Sequence, residues 1–474
     1  MPEVIETDIC VIGGGSGGLS VAAGASQMGA PTVLIEKDKM GGDCLNTGCV
    51  PSKALLAAGH AAEAVRGAHR FGVDANGPAV DGPRVYDHVR RVIAAIAPMD
   101  SVERFEGLGV RVIKAAARFT GPREVEAGGQ RIQARRFVIA TGSQPAVPPI
   151  AGLEDVPYLT NETVFEQHDL PEHLVIIGGG PIGIEMAQAH GQLGAKVTVL
   201  EMASILPKDD PELVGVVRAH LIRHGIAIHE NVKVTAVAKS AAGVSVSVEQ
   251  DGVTRKIEGS HLLVAAGRKP TVEGLDLEKA TVAYTPKGIE VDARLRTTNK
   301  KIFAIGDVVG GYQFTHMAGY HAGVVIKNAL FRLPAKVDHD AVPWVTYTAP
   351  ELAQVGMTEE QARAAAGTIR VLRWSFGEND RAQAERETAG QIKVVTAKNG
   401  KVLGAGIVGM HAGELIQPWI LAVGQKMKIG AMANMIAPYP TLGEAGKRAA
   451  GSYYYPFLFG ERTKKILRFL RNFG

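Results

Sequence analysis

The chain has 474 residues, of which 46% are apolar and only 5% aromatic, and it contains 57 glycines. This length can bury several hydrophobic cores, so about two to four domains are expected. The formal net charge of +4 is too small and too dispersed to indicate a nucleic-acid-binding protein. No apolar run approaches the length of a membrane span, and the acidic start MPEVIETD lacks the features of a secretory signal, so a cytoplasmic protein is expected.

The chain begins with a predicted strand, glycine turn, helix and second strand. The turn carries Gly13, Gly15 and Gly18, and the second strand ends in Glu36, eighteen residues after the last of these glycines. Such glycines permit a tight turn and close approach of a pyrophosphate to a helix N-terminus, while the acid accepts hydrogen bonds from ribose hydroxyls. A bound dinucleotide is therefore expected.

Two cysteines follow this unit in the sequence GDCLNTGCVPS. Gly48 is expected to relieve the turn between Cys44 and Cys49, and Pro51 to occupy the first position of a helix. Cys49 would then lie at the positive end of the helix dipole, which favours a thiolate. The spacing alone is equally compatible with two buried thiols or half a zinc site, although a close pair in a reducing compartment is more often catalytic than structural. Cys10, in the first strand, is expected to pack in the core.

The strand–turn–helix–strand unit recurs at residues 174–201. Its turn carries Gly178, Gly180 and Gly183, and its second strand ends in Glu201. A second dinucleotide is therefore expected. Glu201 would bind the ribose diol and repel a 2′-phosphate, and no arginine follows in EMASILP, so the sequence predicts a preference for NADH over NADPH.

The rest of the chain suggests further divisions. The proline-rich stretch 144–157 indicates a crossing between domains, and VAAGRKP, residues 264–270, would end the second nucleotide domain. An apolar strand within residues 298–307 ends at Asp307 and is a candidate to return to the first domain. From about residue 341 the pattern changes to strands, a hairpin around residues 399–400 and helices, which indicates a separate α+β domain.

These motifs, in this order and across nearly the whole chain, resemble the pyridine nucleotide-disulfide oxidoreductases, the group that contains lipoamide dehydrogenase, glutathione reductase and mercuric reductase. Besides the two glycine turns, the matching motifs are GGDCLNTGCVPSK, IATGSQP, VAAGRKP, FAIGDV and YPTLGE. The resemblance implies an α/β fold with two Rossmann-like dinucleotide-binding domains and a C-terminal α+β dimerisation domain. The implied boundaries are 1–150 and 272–340 for the FAD-binding domain, 151–271 for the NAD(P)H-binding domain and 341–474 for the dimerisation domain.

The same resemblance implies the cofactor contacts. The residues expected to contact FAD are Gly13, Gly15, Gly18, Glu36, Thr141, Gly142, Gly306 and Asp307, with Asp307 holding the ribityl chain. The residues expected to contact NAD(H) are Gly178, Gly180, Gly183, Glu201 and Gly267. No metal cofactor is expected.

The implied mechanism passes electrons from NADH through the flavin to a Cys44–Cys49 disulfide and on to an external acceptor. Cys49 would face the flavin, and Cys44 would attack or bind the acceptor. Lys53 and Glu185 would form an ion pair beside the flavin. The remaining catalytic residues implied by the resemblance, which would complete the active site of the partner subunit in a homodimer, are Tyr439 and Glu444.

Tyr439 departs from the pattern of the disulfide-reducing members, which carry a histidine at this position. A tyrosine, with a reference pKa of about 10, is poorly matched to passing protons near neutral pH. Mercuric reductases resemble this chain in carrying a tyrosine here, because a soft metal ion on thiolates needs no proton from the protein. They also carry a C-terminal cysteine pair, whereas no cysteine follows Cys49 here. Alternatively, the side chain of Tyr439 only fills space. His316 and His321 are candidates for the base that is missing at position 439; the other interpretation is that they belong to a helix packed under the flavin.

The expected acceptor is a metal ion, a quinone or a small disulfide rather than glutathione or lipoamide. Two alternatives stay open. One is dihydrolipoamide dehydrogenase itself, and the other, from a different class, is a flavoprotein without turnover that serves as a redox sensor.

The C-terminal segment 461–474 contains five basic residues and one acidic residue, a local charge of +4 that equals the excess of the whole chain. As a helix it would place its apolar residues on one arc of about 160° and most basic residues opposite. The apolar set is Ile466, Leu467, Phe469, Leu470 and Phe473; the basic set is Lys464, Lys465, Arg468 and Arg471. Two interpretations are open: the apolar side packs on the dimer partner, or residues 453–474, which include an aromatic run, make a peripheral contact with an anionic membrane.

Overall fold

The structure is a computed structural model that describes residues 4–473. The chain divides into two compact units. Unit 1 consists of Met1–Met202 and Ala227–Asp338, and unit 2 consists of Ala203–Ile226 and His339–Gly474. The segment Ala203–Ile226 lies inside the range predicted for the second nucleotide domain but groups with the C-terminal residues. The boundaries of the three domains stay a prediction.

The described residues form the following elements. The strands are β1 (Val4–Ile12), β2 (Thr32–Glu36), β3 (Val110–Lys114), β4 (Ala117–Gly121), β5 (Glu124–Ala127), β6 (Gln130–Ile139), β7 (Ser143–Pro145), β8 (His173–Ile177), β9 (Lys196–Leu200), β10 (Ala227–His229), β11 (Lys233–Ser240), β12 (Gly243–Gln250), β13 (Val253–Gly259), β14 (His261–Val264), β15 (Arg268–Pro270), β16 (Tyr284–Thr285), β17 (Gly288–Ile289), β18 (Ile302–Ala304), β19 (Pro343–Thr346), β20 (Glu351–Gly356), β21 (Ile369–Ser375), β22 (Gln391–Ala397) and β23 (Val402–Gly409). The helices are α1 (Ser16–Gln27), α2 (Gly42–Asn46), α3 (Cys49–Gly67), α4 (Gly82–Ile96), α5 (Val102–Gly107), α6 (Pro181–Gln192), α7 (Pro211–Arg223), α8 (Thr315–Ala329), α9 (Glu359–Ala366), α10 (Asp380–Glu385), α11 (Ala412–Leu415), α12 (Gln417–Gly424), α13 (Ile429–Ala433), α14 (Glu444–Ser452), α15 (Tyr455–Leu458) and α16 (Glu461–Leu470).

The first sheet of unit 1 has seven strands in the order β3-β2-β1-β6-β5-β4, and β18 also pairs with β6. β1 runs parallel to both β2 and β6, and all five residues of β2 are buried, as expected for a strand covered on both faces. β18 pairs in parallel with β6 through Ile302 and Phe137. The predicted return of the strand before Asp307 to the first sheet is therefore confirmed, although the strand covers only three residues.

The second sheet of unit 1 has the order β10-β9-β8-β14, and its strands are parallel. Helix α6 connects β8 to β9, as α1 connects β1 to β2. A short antiparallel ribbon of β7 with β15 pairs the IATGSQP segment with the VAAGRKP segment. The repeated arrangement confirms the two Rossmann-like dinucleotide-binding folds.

Unit 2 is built on a five-stranded antiparallel sheet in the order β19-β20-β23-β22-β21. The predicted hairpin joins β22 to β23, and Gly400 adopts a left-handed φ of 83° in the turn. Helices pack on the sheet around the buried Trp419. The C-terminal α+β prediction is thus confirmed.

Helix α7 belongs to unit 2 because a buried lysine of the sheet joins it. The Lys393 side chain, on β22, is only 6% exposed, and its ammonium lies 2.8 Å from Asp210, 2.8 Å from Glu212 and 3.0 Å from Glu359. Burial alone would lower the pKa of Lys393, but the three carboxylates more than offset it and raise that pKa. The charged network attaches the start of α7 to the sheet.

The C-terminal segment forms α15 and α16. The predicted helix over 461–473 ends at Leu470, because the last turn tightens: Asn472 N donates to Phe469 O and Phe473 N donates to Leu470 O, both with a three-residue spacing. The large apolar side chains of this segment are exposed. In residues 4–473, the helices are all too short or too polar to cross a bilayer.

Candidate active site

Two glycine turns at the carboxyl ends of β1 and β8 have nearly the same backbone. Gly13 and Gly178 have left-handed φ values of 109° and 115°. A Cβ on Gly18 would lie 1.9 Å from Gly13 O, and one on Gly183 would lie 2.0 Å from Gly178 O. The first glycine of each turn is thus required by the turn, and the third by close packing of helix on strand.

The middle glycines are different, because they leave space. A Cβ on Gly15 would meet its nearest atom, Gly42 Cα, at 3.8 Å, and one on Gly180 would meet nothing within 4 Å. Gly15 and Gly180 are the N-caps of α1 and α6, and neither cap carries a side-chain hydrogen bond. Each turn therefore offers a helix N-terminus with room beside it, which fits the pyrophosphate of a dinucleotide.

Two acids return to these turns: Glu36, the last residue of β2, and Glu201, the first residue after β9. Gly14 N donates to Glu36 Oε2 at 2.5 Å, and Gly179 N donates to Glu201 Oε2 at 2.6 Å. Each carboxylate thus lies at the side of its glycine turn, where the ribose of a bound dinucleotide is expected. The residues present fit FAD at the first turn and a nicotinamide dinucleotide at the second; these contacts stay predictions for the individual residues.

The two cysteines lie on neighbouring helices. Cys44 lies inside the short helix α2, and Cys49 is the first residue of α3, so the turn expected between them is confined to residues 47 and 48. Pro51 is the third helical residue, not the first as predicted, which is tolerated because the first amides of a helix have no partner within it. Gly48 is needed for close approach: its φ is −132°, and a Cβ there would lie 2.7 Å from Asp43 Oδ2.

The two thiols are free cysteines that interact with each other and differ in acidity. The hydrogen bond from Cys44, together with Thr315 and Lys53, outweighs burial and lowers the pKa of Cys49 to about 6. The same hydrogen bond and burial raise the pKa of the Cys44 thiol above its usual range. Thr315 Oγ1 lies 3.3 Å from Cys49 Sγ, and Cys49 is exposed. Cys49, at the start of α3, is therefore the more acidic of the two thiols.

Lys53 and Glu185 form the expected ion pair. Lys53 Nζ, on α3, lies 2.8 Å from Glu185 Oε2, on α6, and the Glu185 side chain is only 6% exposed. The pair connects the helix that carries Cys49 to the helix that follows the second glycine turn. Its position beside the flavin stays a prediction.

Residues from four separate motifs meet in a cluster around Arg268, a residue that was not among the predicted site residues. Its Nε donates to Ser143 Oγ at 2.7 Å, and its Nη2 lies 3.3 Å from Asp43 Oδ1. Ser143 Oγ in turn donates to Asp307 Oδ2 at 2.6 Å, and burial raises the pKa of Asp307. Asn161 donates to Asp43 at 2.9 Å. The residue that precedes Cys44 is thereby tied to the aspartate expected to hold the ribityl chain. The sequence indicated this cluster only in that Asp43, Ser143, Arg268 and Asp307 each lie in a different family motif.

The other predicted cofactor residues lie at turns around this cluster. Thr141 Oγ1 donates to Thr271 O at 2.7 Å, and the neighbouring Gly142 has a φ of 69°. Gly267, beside Arg268, and Gly306, beside Asp307, have φ values of 118° and 69°. These left-handed conformations favour glycine at all three positions.

The two histidines of α8 have different surroundings. His321 is buried, and its Nδ1 accepts a hydrogen bond from Gly306 N at 3.2 Å. His316 stacks on Phe314, with ring centroids 5.2 Å apart. His321 thus supports the turn that carries Asp307, which favours the interpretation of a supporting helix over that of a substitute base.

In unit 2, Tyr439 and Glu444 each bond to another residue. Tyr439 is exposed, and its hydroxyl donates to Asp380 Oδ2 at 2.9 Å, which raises the pKa of Tyr439. Arg448 donates to Glu444 Oε1 at 2.8 and 3.1 Å. Asp380, 59 positions earlier in the chain, was missed because nothing in its local sequence marks it. Within residues 4–473, no group of three or more His, Cys, Asp or Glu side chains is placed to hold a metal ion.

Comparison with known proteins agrees with this arrangement. The family described as pyridine nucleotide-disulphide oxidoreductase matches residues 7–322, and its dimerisation domain matches residues 342–450. A mercuric reductase of Streptomyces lividans is 34% identical, and a dihydrolipoyl dehydrogenase of Thermus scotoductus is 37% identical; each match covers 94% of this chain and 96% of the relative. The Cu(II) complex of the HOCl-induced flavoprotein disulfide reductase RclA from Escherichia coli superposes with a TM-score of 0.85 and 27% identity, covering 94% of this chain and 99% of that one. The chain therefore belongs to the pyridine nucleotide-disulphide oxidoreductases, enzymes that use FAD and NAD(P)H, and its dimerisation domain supports a homodimer.

Proposed function

We propose that this enzyme uses NADH to reduce a thiolate-binding metal ion, Hg(II) or Cu(II), held by Cys44 and Cys49. The observation that carries the proposal is the hydrogen bond from Tyr439 to Asp380, because it raises the pKa of the phenol and makes it a poor proton donor to a leaving thiolate near neutral pH. The names of the relatives support the same class of acceptor, since they include a mercuric reductase and a Cu(II)-complexed reductase. The proposal places the reaction in the cytoplasm.

The electron count closes without a proton donor. NADH gives up a hydride and becomes NAD⁺, and FAD, when bound, supplies the two-electron link between the nicotinamide and the disulfide. The reduced pair, a Cys49 thiolate and a Cys44 thiol, binds the metal ion as a dithiolate, and the single Cys44 proton passes to solvent. Two electrons then leave the sulfurs, the Cys44–Cys49 bond forms again, and either one Hg(II) becomes Hg(0) or two Cu(II) become two Cu(I).

The electrostatics of the pair suit this role. Cys49, with a pKa of about 6, supplies a thiolate at neutral pH, and soft thiolate ligands favour Hg(II) and copper. The raised pKa of Cys44 keeps its proton until a cation displaces it. Metal binding is therefore expected to release a proton from Cys44.

A disulfide acceptor would place a different demand on the site. Its leaving thiolate needs a proton, and the family resemblance assigns that step to residue 439 with the acid at 444, acting in the partner subunit's site. Here Tyr439 is bonded to Asp380, and Glu444 is bonded to Arg448. Slow reduction of lipoamide or glutathione disulfide is the expected consequence.

The test is an acceptor panel with the purified holoenzyme: Hg(II), Cu(II), lipoamide, glutathione disulfide and a soluble quinone. We expect the highest kcat/KM for a metal ion. Turnover of lipoamide above that of both metals would overturn the proposal and indicate a dihydrolipoyl dehydrogenase. Absence of NADH oxidation with every acceptor would instead support the sensor alternative.

A substitution sharpens the test. Tyr439→His should raise disulfide reduction by up to about 10²-fold, because a histidine passes protons near neutral pH, while metal reduction changes less. Tyr439→Phe is the matched control, since it removes the hydrogen bond to Asp380 without adding a base. An equal effect of Tyr439→His on both acceptor classes would show that residue 439 acts through packing.

A further inference from the structure

The C-terminal tail, defined here as residues 453–473, lies beyond the part of the chain that the family accounts for. The match to the dimerisation domain ends at residue 450. The tail nevertheless forms two helices, α15 and α16. The family match thus does not account for the surface of these residues.

The start of the tail contacts the rest of unit 2 through Tyr453 and through Phe457, whose ring centroid lies 5.3 Å from Arg370, whereas the large apolar side chains of α16 are exposed. Tyr453 donates its hydroxyl to Lys398 O at 2.9 Å, and Arg370 lies 4.5 Å from the centroid of the Tyr453 ring. Farther along, eight large apolar residues are each 53–71% exposed: Phe457, Leu458, Phe459, Ile466, Leu467, Phe469, Leu470 and Phe473. Such a cluster is unusual on a free surface and marks an interaction site.

The other side of α16 is basic. The tail contains five basic residues, Arg462, Lys464, Lys465, Arg468 and Arg471, against the single acid Glu461, which bonds to Lys464 at 2.8 Å. The tail therefore holds a charge of +4, which is the net charge of the entire chain. This segment therefore carries the positive charge that would attract the protein to a negatively charged surface.

We propose that the tail binds peripherally to an anionic lipid bilayer. An exposed apolar arc beside lysines and arginines, preceded by aromatic rings, has the complementarity that the interface of a negatively charged membrane requires. A second copy of the chain could also bury the apolar arc, but a surface with no net charge would match the basic side of α16 less well than an anionic membrane does. The bilayer accounts for both properties of α16.

The experiment measures flotation of the holoenzyme with vesicles of phosphatidylcholine containing phosphatidylserine, at low and high salt. The intact protein should float with these vesicles, less at high salt, and less with phosphatidylcholine alone. A version that ends at Gly460 should stay in solution while it remains dimeric and reduces its soluble acceptor as before. Failure of the acceptor proposal is therefore distinguishable from failure of this one.

Point variants keep the test decisive if truncation disturbs folding. Lys464→Gln with Lys465→Gln should weaken partitioning roughly 30-fold, since each basic residue near the surface contributes about 1 kcal/mol. The matched control, Arg255→Gln with Lys256→Gln on the exposed strand β13, removes the same charge and should change little.

The apolar arc is tested in the same way. Ile466→Ser with Leu470→Ser should reduce partitioning by about tenfold or more. Phe331→Ser with Leu333→Ser, which changes two exposed apolar residues elsewhere, is the control. Equal partitioning of the intact and truncated proteins, or a truncated protein that becomes monomeric, would overturn the proposal; the second result would assign the tail to the dimer partner.

Discussion

The two glycine turns share a backbone but differ in their surroundings. At the first turn, Gly41 N donates to Gly14 O at 2.9 Å, so the segment that leads to Cys44 lies directly against the turn. At the second turn, a Cβ added to Gly180 would have no neighbouring atom within 4 Å. The exposure of the two acids differs in the same way: Glu36, at the first turn, is buried with 8% of its surface exposed, whereas Glu201, at the second turn, is partly exposed.

The difference indicates how one fold unit serves two kinds of ligand. An enclosed turn beside the redox cysteines suits a cofactor that stays bound, whereas an open turn suits a nucleotide that must enter and leave in each cycle. This difference supports the prediction of FAD at the first turn and NADH at the second. The predictions that follow alter one turn or its neighbours and compare the outcome with the other.

The largest effect is expected at the thiols beside the first turn. Cys49→Ser should reduce metal-dependent NADH oxidation by at least about 10³-fold, because Cys44 alone cannot form the disulfide that carries the electron pair. FAD should stay bound, while the thiolate-to-flavin charge-transfer absorbance of the reduced enzyme disappears. A band that survives would refute the assignment of Cys49 as the flavin-facing thiol. Cys10→Ala, at a fully buried position in β1, is the control.

The acid of the second turn should decide between nicotinamide nucleotides. NADPH should be disfavoured by about 1–3 kcal/mol, or roughly 5- to 150-fold in kcat/KM, because Glu201 repels the 2′-phosphate. Glu201→Gln should lower the ratio of kcat/KM with NADH to kcat/KM with NADPH. Glu36→Gln, the equivalent change at the first turn, should leave the ratio unchanged and lower FAD retention. Comparable kcat/KM values for the two nucleotides in the unaltered enzyme would contradict the prediction.

Alanine substitutions in the glycine turns should separate effects on cofactor binding from effects on the stability of the fold. Gly180→Ala has room for its methyl group and should raise KM for NADH about tenfold with little change in Tm, since the new group occupies the expected pyrophosphate position. Gly15→Ala should instead lower the FAD content. Gly183→Ala should destabilise the fold by about 2–3 kcal/mol, because its Cβ meets backbone. Equal Tm losses for Gly180→Ala and Gly183→Ala would argue against open space at the second turn.

The smallest effect concerns pH. Because the pKa of Cys49 is lowered to about 6, its thiolate is present above that pH and lost below it. Alkylation of the reduced enzyme by iodoacetamide should therefore rise through about pH 6, and Lys53→Gln should move this transition upward. Mass spectrometry of the alkylated peptides measures the rates. A transition near the ordinary cysteine value in the unaltered enzyme would exclude a stabilised thiolate.

Sequence periodicity and motif order were sufficient for the fold and for local geometry. The strands, the glycine turns and the position of Cys49 at a helix start depend on neighbours in the chain, and these predictions are confirmed. Contacts between distant segments were predicted only where the family resemblance implied them, as for Lys53 and Glu185. The partner of Tyr439 is Asp380, and Arg268 meets Asp43 and Asp307, because tertiary packing selects these pairs from many charged residues.

The attachment of α7 to unit 2 determines how this chain can be divided for expression. A fragment that starts at His339 would omit Asp210 and Glu212 and leave the buried Lys393 with Glu359 alone. Removing partners from a buried charge costs about 3–5 kcal/mol, a large part of the stability of a typical domain. An autonomous dimerisation fragment would therefore need residues 203–226 joined to it through an engineered linker.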